Sequence, residues 1–146
     1  DEAPEMRQFS FWLGRWEVFT PDGTHVGINH ITPLFDGRVL AEDWAGDSGV
    51  RGVSLNAWDP YRRVWHQTWM DSTGSTLLLD GKLRNGQMVL EGSSPKPDPS
   101  APPDRHRITW TPSDSGEEVR QVWETSENDG ATWTVTFDGR YRRLAE

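Results

Sequence analysis

Turn-forming residues recur along this chain at intervals too short for a helical fold. Pro21-Asp22-Gly23, Phe35-Asp36-Gly37, Gly46-Asp47-Ser48-Gly49, Asp59-Pro60, Ser72-Thr73-Gly74, Asn85-Gly86, Ser113–Gly116 and Asn128-Asp129-Gly130 punctuate it. Between them lie short β-branched and aromatic runs, the pattern of an antiparallel meander. The spacing predicts ten strands, near Gly14–Thr20, Thr24–Thr32, Val39–Ala45, Gly52–Trp58, Val64–Asp71, Ser75–Leu83, Gln87–Gly92, His106–Thr111, Glu118–Thr125 and Thr132–Tyr141. Hairpin connections without a long crossover suit an all-β, ten-stranded antiparallel up-and-down barrel, since closure removes exposed edges. A two-sheet sandwich competes, but its Greek-key returns need longer connections than most of these.

The 146 residues fit one domain, 1–146. Residues 1–8 read as a polar N-terminal leader. It runs into the one helical candidate, Pro4–Leu13, where Met6, Phe9, Phe11 and Leu13 could plug one end of the barrel. The segment 93–105 carries Pro95, Pro97, Pro99, Pro102 and Pro103. It is expected to be an extended surface loop, either a tether or a lid over the barrel mouth.

A formal charge of -8 argues against nucleic acid as a partner, because phosphate binding needs a basic stripe. Arg140, Arg142 and Arg143 make a local basic cluster, which reads as a solvated strand face rather than a functional one. No apolar run approaches a membrane span. There is no cysteine, which removes disulfides, thiolate metal sites and cysteine nucleophiles. The start at Asp1 suits a periplasmic or secreted protein after signal-peptide removal, or equally a trimmed cytoplasmic one. A homodimer is compatible with all of this.

Nine tryptophans are more than the core of so small a domain needs. They fall one or two to a strand, and several share a strand face with polar groups. Leu40, Glu42 and Trp44 share one face; so do Ser54, Asn56 and Trp58. Trp65, Gln67, Trp69 and Asp71 form a third set, and Val119, Gln121 and Trp123 a fourth. If those faces point inward, the interior is an aromatic cavity with a few polar anchors, the usual make-up of a small-molecule pocket. Buried amides must find partners, so Asn56, Gln67 and Gln121 would bond one another, hold water or meet a ligand. The apolar complements Leu55, Ala57, Val39 and Ala41 leave the inward face open on two of the four strands.

The four histidines, His25, His30, His66 and His106, lie on different strands without metal-ligand spacing. His30 could pair with Glu42 on the neighbouring strand as acid and base. A surface histidine is the plainer reading. No nucleophile elbow, phosphate loop or dinucleotide fingerprint occurs. Ser126-Glu127-Asn128-Asp129-Gly130-Ala131-Thr132-Trp133 is close to the Asp-box of sialidases, with Asn128 in the aspartate slot. One copy in a chain too short for a propeller reads as a hairpin device with its tryptophan under the turn, and carries no sugar chemistry.

Several motifs in register carry a family resemblance. Phe11-Trp12-Leu13-Gly14-Arg15-Trp16-Glu17-Val18, Glu42-Asp43-Trp44, Ser54-Leu55-Asn56, Trp65-His66-Gln67-Thr68-Trp69, and Arg120-Gln121-Val122-Trp123-Glu124 through Trp133 resemble DUF1579, a bacterial family of unknown function. That family is similar to the calycin barrels, which include lipocalins and fatty-acid-binding proteins. The resemblance implies a calycin-like ten-stranded barrel with an internal cavity, and no particular activity. In lipocalins the Gly-x-Trp tryptophan packs against an arginine of the last strand. Gly14 and Trp16 match, with Arg140 or Arg142 as the expected partner. Nitrobindins, also ten-stranded, hold haem through a histidine near the C-terminal end. No histidine follows His106 here, so neither haem nor another cofactor is expected.

The function expected is binding or carrying a small hydrophobic molecule, aromatic or lipid-like. Trp16, Trp44, Trp69 and Trp123 would line the cavity, and Glu42, Asn56, Gln67 and Gln121 would orient a polar group. The alternative is an isomerase, cyclase or hydrolase of a hydrophobic metabolite. In it Glu42 or Asp71, its pKa raised by a dry site, or His30, would act as general acid or base. A third reading is a structural domain whose cavity is packed shut.

Overall fold

The computed structural model describes residues 3–145, so Asp1 and Glu2 of the leader lie outside the described residues. Ten antiparallel strands close into a barrel in the order β1-β10-β9-β8-β7-β6-β5-β4-β3-β2. They are β1 (Gly14–Phe19), β2 (His25–Leu34), β3 (Val39–Gly46), β4 (Arg51–Asp59), β5 (Val64–Asp71), β6 (Thr76–Arg84), β7 (Gln87–Ser94), β8 (Asp104–Pro112), β9 (Glu118–Ser126) and β10 (Thr134–Arg143). Every sequence neighbour pairs with the next, and β1 pairs with β10 to close the ring, aligning Trp16 with Arg143 and Val18 with Tyr141. The barrel, not the sandwich, is therefore the architecture. No helix among the described residues is long and apolar enough to cross a membrane.

The expected Pro4–Leu13 helix is instead two 3₁₀ turns, Pro4–Arg7 and Ser10–Trp12, broken at Phe9. The hydrophobic spacing explains the difference. A 3₁₀ turn eclipses residues three apart, and Phe9 and Trp12 stack at 4.7 Å with their planes only 14° apart. This stacked pair, not Phe11 and Leu13, forms the plug. Phe9 meets Trp65 edge-on at 5.6 Å and Trp110 at 5.2 Å, and all four rings are almost wholly buried. Such aromatic contacts add about 0.5–1.5 kcal/mol each beyond the area they bury. Within this cluster the Trp65 and Trp110 indole N–H groups find no acceptor among the described residues.

The plug is tied down from several sides. Arg38, between β2 and β3, reaches the Met6 sulfur, and Arg63, between β4 and β5, pairs with Glu5 at 3.4 Å. Arg143 donates to the carbonyls of Leu13 at 2.8 Å and Gly116 at 3.1 Å while its guanidinium sits 4.1 Å over the Trp16 ring. The arginine on Trp16 is thus Arg143, where the resemblance pointed to Arg140 or Arg142. Strand alternation is the reason: Arg143 shares the inward register of Trp16, whereas Arg140 and Arg142 project outward, Arg142 lying over Phe19.

The plug closes the end shared by the β2–β3, β4–β5, β6–β7 and β8–β9 connections. The other connections ring the opposite mouth. There the Asp-box-like turn forms as a hairpin device: Asn128 Oδ1 accepts from the Thr132 amide at 2.8 Å, and Ser126 Oγ accepts from the Gly130 amide at 2.8 Å. Arg107 covers the Trp133 ring at 4.2 Å. The proline-rich segment is shorter than expected, because the β7–β8 ladder runs on to Ser94 and Asp104. Residues 95–103 remain as the loop, and a Lys96–Asp104 ion pair holds it at its base. None of them lines the interior space described below.

Candidate binding cavity

All four polar-and-tryptophan strand faces point inward. Leu40, Glu42, Ser54, Asn56, Trp65, Gln67 and Val119 are buried, while Val53, Leu55 and Met70 on the other face are more than half exposed. Strands β4 and β5 place Val53 against Met70, so these apolar residues adjoin on the outer wall, with Leu78 of β6 one pairing further on.

Above the plug the interior opens into a cavity of about 280 Å³. Its walls are Trp44 from β3, Trp69 from β5, Trp123 from β9 and Phe137 from β10, with Val50, Leu77 and Ile108 between them. Glu42, Gln67, Gln121, Tyr141, Asp71 and Thr136 supply the polar lining. Two strand glycines make room for the rings by close approach. A Cβ on Gly52 would lie 2.1 Å from Trp69 Cη2, and one on Gly27 would lie 2.5 Å from Trp44 Cη2. For these two indoles the sequence places a missing side chain where the ring lies back against a neighbouring strand.

Two indole nitrogens are anchored to the wall. Trp69 Nε1 donates to Asp71 Oδ2 at 3.1 Å, and Trp123 Nε1 donates to His106 Nδ1 at 3.1 Å. Burial pushes the Asp71 carboxyl up, but hydrogen bonds from the Thr73 side chain and backbone and from Trp69 outweigh it and hold the pKa below 3.8. Asp71 is thus an anion at neutral pH. His106 moves the other way: burial lowers its pKa below 6.5, so it is neutral there.

The cavity floor is a continuous hydrogen-bonded belt that draws on six strands, β5, β4, β3, β2, β10 and β9, and spans β1 between β2 and β10. Gln67 Nε2 donates to Asn56 Oδ1 at 2.7 Å, Asn56 Nδ2 to Ser54 Oγ at 2.8 Å, and Ser54 Oγ to Glu42 Oε1 at 2.6 Å. From the other side Asn29 Nδ2 donates to Glu42 Oε2 and to the Tyr141 oxygen, each at 2.8 Å, and Tyr141 donates to Gln121 Oε1 at 2.5 Å. Donors converge on Glu42 from both directions, as a buried carboxyl requires. Burial still dominates its titration and raises its pKa above 4.5 against the pull of Ser54 and Asn29. Tyr141 is likewise raised, by burial and then by the adjacent Glu42 charge, and keeps its proton. Asn29 Oδ1 is left without a donor, and nothing in the structure accounts for it.

Of the residues singled out from the sequence, Glu42, Trp44, Gln67, Trp69, Asp71, Gln121 and Trp123 come together around this one cavity. Asn56 does not reach it and sits one hydrogen bond behind Gln67. Trp16 is also outside it, fully buried with its Nε1 donating to the Trp12 carbonyl at 2.9 Å. His30 is exposed on the outer face, opposite Asp43 rather than Glu42 in the β2–β3 register, so the His30–Glu42 pair does not form. Asn29, Tyr141 and Phe137 were missed. Asn29 was legible in principle: it precedes exposed His30 and follows Gly27 by two, on the inward face of β2. Among the described residues no three His, Asp or Glu side chains cluster as a metal site.

No protein-family model and no curated protein matches the chain.

Proposed function

We propose that this barrel binds or carries a small, mainly apolar molecule in the cavity above the plug. The observation that supports the reading is the cavity itself: three indoles and a phenyl ring around about 280 Å³, with polar groups confined to floor and lip. That is the make-up of a small-molecule site and not of a packed core. A dry apolar cavity of about 150 Å³ accepts benzene, so this space suits a body of one or two rings, or a short chain, better than a long acyl chain. Within the same proposal the barrel is calycin-like and the chain akin to DUF1579, on the tryptophan-bearing motifs set out above.

Binding is tested by titrating tryptophan emission with toluene and naphthalene while native mass spectrometry looks for a co-purified small molecule. A saturable shift, largely lost in Trp69→Ala, is expected. No shift with either probe and no retained molecule overturns the reading.

One observation favours a second reading, an isomerase, cyclase or hydrolase on the same cavity. Glu42 is a buried carboxyl whose pKa is raised, which suits a general acid or base. Glu42→Gln separates the two: a carrier keeps most of its affinity for a neutral apolar probe, whereas an enzyme binds its substrate and no longer turns it over.

A further inference from the structure

The cavity has a sign as well as a shape, and the sign narrows the ligand. Two carboxyl groups line it, Glu42 at the floor and Asp71 at the lip, and among the described residues no lysine, arginine or histidine does. The nearest base behind the wall, His106, uses Nδ1 as an acceptor for Trp123, so it adds no positive charge. The rings of Trp44, Trp69, Trp123 and Phe137 line the same space.

Aromatic faces carry negative potential, and tryptophan attracts a cation most strongly. With their N–H groups spent on Asp71 and His106, the Trp69 and Trp123 rings have only their carbon framework left to offer the cavity. Glu42 accepts two hydrogen bonds in the belt, which leaves about two of its lone-pair positions unfilled. An uncharged apolar ligand would use the rings and leave both carboxyl groups with hydrogen-bond donors but no cationic partner. An anion would meet the Asp71 charge at the lip and a second carboxyl group at the floor.

We propose that the ligand is a compact organic cation, an ammonium group on an aromatic body of one or two rings, held by the ring cage with Glu42 and Asp71 as its counter-charges. The ammonium end loses water on entering the cage and regains it as ring faces and carboxylate oxygens. The aromatic end fills the apolar wall. This rests on the binding function proposed above and specifies the chemistry of that same site.

The test is an isosteric series measured by isothermal titration calorimetry on the whole protein: naphthylethylammonium, the neutral naphthylethanol and the anionic naphthylpropionate. The cation is expected to bind on the order of tenfold or more tighter than the alcohol, with the propionate weakest. Asp71→Asn and Glu42→Gln should each shrink the gap between cation and alcohol while changing the affinity for the alcohol little. Asp71 is at the partly exposed lip, so Asp71→Asn reports on charge even if Glu42→Gln proves too unstable to purify. Equal affinity for cation and alcohol overturns the charge inference and leaves the carrier reading standing. Failure of all three to bind at millimolar concentration overturns both.

Discussion

The Trp123 indole N–H donates to His106 Nδ1 at 3.1 Å across the β8–β9 pair, and this one bond fixes the tautomer of a buried histidine. With Nδ1 accepting, the proton resides on Nε2, which faces Ser94 Oγ at 2.7 Å. Protonating Nδ1 would set two N–H groups against each other, so a wall tryptophan of the cavity is coupled to a titration.

Burial lowers the His106 pKa below 6.5 in the folded chain. A depressed folded pKa means the contribution to stability is present above the unfolded value and lost as pH falls through the folded one. The Trp123 indole resonance should therefore move on acidification with a midpoint below 6.5, and His106→Gln should abolish that transition. A resonance that stays put down to the pH at which the barrel unfolds would show that protonation of His106 does not reach the ring.

Gly52→Ala is expected to disturb the cavity without touching any polar group. The new Cβ would fall 2.1 Å from Trp69 Cη2, so the indole must swing away from β4. Overpacking of this kind costs about 1–3 kcal/mol, read from the denaturant midpoint, and the displaced ring should also weaken the Trp69–Asp71 hydrogen bond. Gly23→Ala is the control for added bulk alone, since nothing lies within 4 Å of a Cβ there. Its cost should be limited to the strain of a positive φ.

Arg143 joins the last strand to the segment that plugs the barrel, through the carbonyls of Leu13 and Gly116 and the face of Trp16. Lysine keeps the charge but cannot span both carbonyls while stacking on the indole. Arg143→Lys should therefore destabilise by about 1.5–3 kcal/mol, the usual worth of hydrogen bonds to a charged group. Faster amide exchange over residues 9–12 should accompany the loss. Arg140→Lys, at an exposed outward position on the same strand, should change neither measurement.

How much of this was legible in the sequence depends on the kind of signal. Turn residues such as Asn85-Gly86 fix where hairpins bend, and period-two alternation keeps Glu42 with Trp44 and Gln67 with Trp69. Those signals are local, and all ten strands and the shared faces follow from them. Which residues meet across the ring is not local. The β1–β10 register that gives Trp16 to Arg143 rather than Arg142 depends on barrel closure between segments more than a hundred residues apart. Tyr141 was hidden for the same reason: between two arginines it reads as an outer-face residue until its strand is paired. Trp16 was misassigned to the cavity because alternation tells inside from outside and says nothing about height along the barrel.

Glu42 gives the final prediction. Its carboxyl titrates near 4.5 when solvated and at a higher pH inside the barrel, where burial raises it and the neighbouring Asp43 charge adds to the rise. The side chains that face it from adjoining strands are Asn29 and Ser54, while the hydroxyl of Tyr141 stays protonated, so none of them contributes a competing charge change. The folded state holds the proton more tightly than the unfolded one. The contribution of Glu42 is then present in full below about 4.5 and is lost as pH rises through the folded value. Glu42→Gln removes this slope and replaces it with a pH-independent change in hydrogen bonding. Asp59, Asp71 and Asp80 have lowered values and act in the opposite sense at more acid pH, but both proteins carry them and they cancel in the difference. Denaturant midpoints measured from about pH 4 to pH 8 should show the variant gaining on the parent protein as pH rises. A difference that does not change with pH would mean that Glu42 titrates as it does in water. It would then be an anion at neutral pH without cost, and the acid–base role considered for it would lose its physical basis.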